Sequence, residues 1–68
     1  MDKTKIGELL TKLREERNKS RQEVAEAIGV SLSAITMYEL GQRIPRDEVK
    51  KKIAEYYSKS VQSIFFNE

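Results

Sequence analysis

The chain has 68 residues, with 13 Lys and Arg against 11 Asp and Glu, and no His, Cys or Trp. The missing residues exclude disulfides, thiolate metal sites, a cysteine nucleophile and histidine acid–base chemistry; the length allows one small domain at most. A formal charge of +2 permits a nucleic-acid partner without requiring one.

The aliphatic residues follow helical spacing rather than alternation. Ile6, Leu9, Leu10 and Leu13 recur at i, i+3, i+4 and i+7, which predicts an amphipathic helix over about residues 4–17. Lys5, Glu8, Lys12, Glu15 and Glu16 occupy its polar face. Asn18 follows, a residue that tolerates the left-handed conformation closing many helices. Ser20 and Glu23 then stand at capping-box spacing. They open a short second helix, about 20–28, with Val24, Ala25 and Ile28 on its apolar side. Gly29 ends it, supplying positive φ and leaving room for two helices to approach. Ser31 is placed to cap a third helix, with Ile35 and Tyr38, and Leu40 as a further candidate, on the buried side. Gly41 is placed to end that helix.

Gln42-Arg43-Ile44-Pro45-Arg46 reads as a loop, since the one proline keeps Ile44 extended. A fourth helix starts at Arg46 or Asp47, where acidic Asp47 and Glu48 suit the positive helix end. Val49, Ile53, Ala54, Tyr56 and Tyr57 supply its apolar face. Lys50, Lys51 and Lys52 read as a solvated face, with one of them a candidate phosphate neighbour. Ser58-Lys59-Ser60 breaks the pattern, and Ser60 can cap a last short helix through Val61, Ile64 and Phe65. Five short helices in one all-α domain spanning 1–68 are expected. The start is polar and no apolar run reaches the length of a signal segment or membrane span. A cytoplasmic protein without a membrane partner is expected.

Residues 20–41 form a helix-turn-helix pattern, whose second helix enters a DNA major groove in proteins that use it for recognition. Ser31, Leu32, Ser33, Thr36 and Met37 fall on the outward side of the third helix. Serine and threonine can bond phosphates or bases, and Leu32 and Met37 suit a thymine methyl. That face has no Arg, Lys, Asn or Gln, so it offers no bidentate base contact. Modest specificity is expected from it, with the rest coming from DNA shape and dimer spacing. Arg21, Gln42 and Arg43 flank the reader as candidate phosphate contacts.

SRQEVAEAIG at 20–29 and VSLSAITMYELGQRIP at 30–45 resemble the Cro/C1-type (XRE) helix-turn-helix family of phage repressors and small bacterial regulators. LREER at 13–17, PRDEVKKKIAEYY at 45–57 and SVQSIFF at 60–66 extend the resemblance over nearly the whole chain. It implies a five-helix, lambda-repressor-like domain that binds double-stranded operator DNA, usually as a homodimer. It implies no catalytic residues, no metal and no cofactor. By the same resemblance, Gln22 and Glu23 match the family's pair after the cap, which makes Gln22 a candidate DNA contact, and Arg14 and Glu39 match a pair that commonly joins the first and third helices. Lys19, Arg21, Leu40 and Lys59 depart from the family's usual residues. Lys19 replaces an apolar residue before the cap, Arg21 replaces a common Gln, and Leu40 adds an exposed apolar group beside the DNA-side loop.

Phe65 and Phe66 are adjacent and cannot both face one core. Phe65 is expected inside. Phe66, with Leu9 and Tyr56 as expected neighbours, marks a candidate dimer surface together with Tyr56. The competing function is a protein-interaction module, antitoxin- or anti-repressor-like, on the same fold with little DNA binding and a regulatory protein as partner. Residues 1–41 carry seven basic and seven acidic side chains, so the positive excess lies wholly after Gly41.

Overall fold

The computed structural model describes residues 1–66, and these form five helices: α1 (Lys3–Glu16), α2 (Arg21–Ile28), α3 (Leu32–Glu39), α4 (Asp47–Tyr56) and α5 (Val61–Phe65). Among the described residues there is no strand. Each boundary falls within about a residue of the one predicted, because the signals are local hydrogen-bond chemistry. Ser20, Ser31 and Ser60 cap α2, α3 and α5, each hydroxyl accepting from the backbone N–H three residues on. Ser20 and Glu23 close the reciprocal box, the Ser20 N–H donating to the Glu23 carboxylate at 2.9 Å. That bond, followed by the Ser20 hydroxyl, holds the Glu23 carboxyl below its usual range. Asp2 caps α1 by accepting from the N–H groups of Thr4 and Lys5. Helix α4 has no side-chain cap bond, and Asp47 and Glu48 in its first turn answer the helix dipole instead.

Four of the helices end in one way. After α1, α2, α3 and α4 a single residue takes positive φ: Asn18 (55°), Gly29 (86°), Gly41 (73°) and Ser58 (56°). At each corner the next residue's N–H reaches back five residues: Lys19 to Arg14, Val30 to Ala25, Gln42 to Met37 and Lys59 to Ala54. This is the Schellman ending, which satisfies carbonyls a helix would leave unpaired. Gly29 serves it by dihedral freedom alone. A Cβ there would meet nothing within 4 Å, so the expected close helix approach at this residue is not found.

Ser58 is the expensive member of the set, a serine where glycine is easier. Ser58→Gly is expected to raise stability by about 0.5 kcal/mol, the relief of left-handed strain exceeding the added freedom of the unfolded chain. Thermal unfolding should then shift upward by roughly 2–4 °C. A lowered midpoint would show that Ser58 stabilises the corner by some other means.

The helices close a ring: α3 packs on α1, α1 on α5, α5 on α4, α4 on α2, and α2 back on α3. One core fills the ring. Its residues are Ile6, Leu10 and Leu13 from α1; Val24, Ala25 and Ile28 from α2; Ala34, Ile35 and Tyr38 from α3; Ile53, Ala54 and Tyr57 from the α4 end; and Ile64 and Phe65 from α5. Pro45 is also fully buried. Gly7 lets α1 lie directly on the last turn of α3, where a Cβ would sit 2.4 Å from the Glu39 carbonyl oxygen. Arg17 ties the α1 corner to the α4 corner, donating to the Tyr57 carbonyl at 2.8 Å with its guanidinium over the Tyr57 ring.

Two side chains depart from expectation. Lys50 is not on a solvated face but 7% exposed. Its stem fills the α4–α5 seam while its ammonium lies over the Phe65 and Phe66 rings and 3.4 Å from Asp47. Leu40 is not on the buried side of α3 but is 57% exposed, because it falls beyond the last turn on the outward side, which agrees with its other reading as an exposed apolar group beside the loop. No described helix is long and apolar enough to cross a membrane.

Candidate nucleic-acid interface

Helix α3 touches the rest of the ring through one side only. Ala34, Ile35, Tyr38 and Glu39 are buried, which leaves Leu32, Ser33, Thr36, Met37 and Leu40 along the other side. At about 100° per residue these five fall within one continuous outward stripe. Leu32, Ser33 and Leu40 are exposed, and Thr36 and Met37 are half-buried. Ser31 stands at the head of the stripe, exposed, with its hydroxyl capping Ala34 at 3.0 Å. The Thr36 hydroxyl donates to the Leu32 carbonyl at 3.0 Å, which leaves its oxygen able to accept. The stripe carries no charge. The one charged residue of α3, Glu39, points inward.

Cations stand on both sides of this neutral stripe. On one side Glu39 follows Leu32 and Thr36 at helical spacing, and Arg21 reaches that edge from the first turn of α2. Its Nε donates to Glu39 Oε1 at 2.9 Å. Arg14 grips the same carboxylate from α1 with two bonds, at 2.8 and 3.1 Å. Burial alone would push the Glu39 carboxyl up, but the bonds from Arg14 and Arg21 outweigh it and hold the group below its ordinary range. Gln22 is exposed beside Arg21, with its amide donating to Glu26 at 2.9 Å.

On the other side Ala34 and Tyr38 face a cleft of about 270 Å³ that also borders Gly29 and Val30 of the turn and Arg43, Arg46, Glu48 and Lys52 beyond it. Arg43 is exposed, and its guanidinium lies over the Tyr38 ring at 5.9 Å from the centroid. Ring and loop thereby hold the cation beside the stripe. Gln42 is exposed next to it.

Seven of the nine candidates, Arg21, Ser31, Leu32, Ser33, Thr36, Met37 and Arg43, thus lie on the stripe or at its margins, with the arginines outermost; Gln22 and Gln42 are exposed next to those arginines in the chain. Arg46 and Lys52 join the Arg43 margin; Lys52 belongs to the lysine run read from sequence, and Arg46 was not singled out. Arg46 carried a signal, a second arginine three residues along the same loop. The bond from Arg21 to Glu39 had none, because it joins residues 18 apart.

The two candidate dimer residues stand among different neighbours. Tyr56 borders Ala27, Ile28, Lys52 and Glu55, with its ring edge-on to Tyr57 at 5.0 Å. Phe66 is 45% exposed and lies under the Lys50 ammonium. Tyr56 is six residues past Lys50, about 120° round the helix from it. Leu9, the other neighbour expected for Phe66, lines a groove with Ile64 and Phe65.

Among the described residues no group of three or more acidic side chains is placed to hold a metal ion. A family model described as helix-turn-helix matches residues 10–64. No curated protein and no solved structure matches the chain.

Proposed function

Because the chain belongs to the Cro/C1-type helix-turn-helix family, and is thus a DNA-binding transcription regulator, we propose that it is a repressor that binds a palindromic operator as a homodimer. The observation that carries this reading is the neutral outward stripe of α3 between two basic margins. A major groove is bounded by two phosphate backbones, and a helix lying in it needs cations on both flanks. Ser31, Leu32, Ser33, Thr36 and Met37 are the base-facing set. Arg21 and Gln22 grip one backbone, and Gln42 and Arg43 the other. Two copies would place their α3 helices about one helical turn apart, ~34–36 Å. Occupancy alone represses, by excluding polymerase, and no bond is made or broken.

Leu32, Thr36 and Met37 favour half-sites with thymine methyl groups, because the stripe offers apolar contact and hydroxyls but no bidentate donor. Affinity then depends heavily on the margins. The test is selection of bound duplexes from a random pool, followed by equilibrium binding across salt concentrations. A selected, palindromic duplex should be preferred over random DNA, and affinity should fall with salt. Arg43→Glu should weaken binding at least tenfold, since it replaces a phosphate-binding cation by a like charge.

The competing reading, a protein-interaction module, draws on Leu32 and Leu40, which are 45% and 57% exposed on the same stripe. Under it Arg43→Glu leaves the regulatory activity unchanged. A selection that enriches no duplex would favour it.

A further inference from the structure

Glu39 carries one negative charge and meets two guanidinium groups, and the two are not equivalent. Arg14 spends its donors inside the fold. Its Nε and Nη2 bind the two Glu39 oxygens, and its Nη1 donates to the Lys19 carbonyl at 2.9 Å. Its side chain is 13% exposed, against 3% for Glu39. Arg14 alone therefore neutralises the carboxylate. Arg21 is the surplus cation. It binds Glu39 through Nε and keeps 36% of its side chain exposed. It also begins α2, at the positive end of that helix, beside the Leu32 and Thr36 edge of the stripe.

A guanidinium can divide its work in a way an ammonium cannot. It is a rigid planar fork, so one bond at Nε fixes the plane in which the terminal Nη groups point. We propose that Glu39 is a positioning residue for DNA binding: its buried carboxylate holds Arg21 by Nε and thereby aims the Nη groups at a backbone phosphate on the α2 margin. This rests on the DNA-binding reading above and adds to it a role for a residue that touches no DNA. The Arg14–Glu39 pair builds the seat, and Arg21 is what the seat presents.

The test uses the full chain and the selected duplex, with affinity measured across salt concentrations and a melting curve for every variant. Arg21→Ala should weaken binding about tenfold and reduce the salt slope by about 0.9, because one phosphate fewer is neutralised. Arg21→Lys should weaken it nearly as much, because an ammonium held at Glu39 has no second group for that bond to aim at the phosphate. Both should melt close to the wild type, since Arg14 still satisfies Glu39. Glu39→Gln should weaken binding in the wild-type chain and have no further effect once Arg21→Ala is present, compared below the melting range of every variant. Full affinity in Arg21→Lys would overturn the proposal by showing that charge suffices without aim. Unchanged affinity and slope in Arg21→Ala would overturn it by showing that Arg21 meets no phosphate. Failure of the underlying reading is distinct, because the wild type itself would then show no salt-dependent preference for the duplex.

Discussion

Gly7→Ala is expected to destabilise the protein by about 2 kcal/mol, although alanine is the better helix former. The added Cβ would lie 2.4 Å from the Glu39 carbonyl oxygen and 2.9 Å from that of Tyr38. Both atoms are backbone at the end of α3, so no side chain can swing aside. Relief requires α1 and α3 to separate, and their separation pulls Arg14 away from Glu39. Overpacking of this kind costs about 1–3 kcal/mol or more, against roughly 0.5–1 gained from helix propensity. In a domain of this size the unfolding midpoint should fall by roughly 8–16 °C, read by circular dichroism. An unchanged or raised midpoint would mean that α1 has room the packing denies it.

The second large effect belongs to Glu39. Glu39→Gln removes the charge that two arginines share and leaves both guanidinium groups facing a neutral amide. Removing one partner of a buried ion pair costs roughly 3–5 kcal/mol. Water can still reach Arg21, so about 2–3 kcal/mol is expected here. The sign with pH follows from the lowered carboxyl. Its folded value lies below the 4.5 of the free group, so its contribution is present above that pH and is lost as pH falls through the folded value. The gap between wild type and variant, measured by urea unfolding, should therefore be full near neutrality and close in acid. Glu23 adds to the acid sensitivity of both chains alike, because its carboxyl is also held low, and so cancels in the comparison. A gap that persists undiminished at pH 2 would contradict the assignment. At the other extreme, burial pushes the Tyr57 phenol up to about 12, so its contribution is lost as pH rises from 10 towards that value.

What could be read from the sequence divides along a physical line. The caps at Ser20, Ser31 and Ser60, and the positive φ at Asn18, Gly29 and Gly41, depend on hydrogen bonds between near neighbours and are visible as spacing. The outward stripe of α3 is visible for the same reason, since one helical period sorts Ile35 and Tyr38 from Leu32 and Thr36. Gly7, Lys50 and Arg21 are different. Gly7 matters because of two carbonyls more than thirty residues away. Lys50 stands at i, i+3, i+4 and i+7 with Ile53, Ala54 and Tyr57, but that spacing does not say what covers a lysine there, which is settled by Phe65 and Phe66 arriving from α5. Arg21 reads as a free surface cation until α3 brings Glu39 beneath it. In the candidate interface, the outward side of α3 was legible. The structural detail was not: which arginine is spent on the fold and which is left over is a tertiary fact.

The four Schellman corners bear on how the chain finds its shape. Each reversal of direction is settled by hydrogen bonds spanning no more than six residues, before any distant helix has arrived. The chain therefore does not search for its bends. It carries four pre-turned joints, and the slow part of folding reduces to closing the ring, α5 onto α1, where the sequence separation and so the loop entropy are greatest.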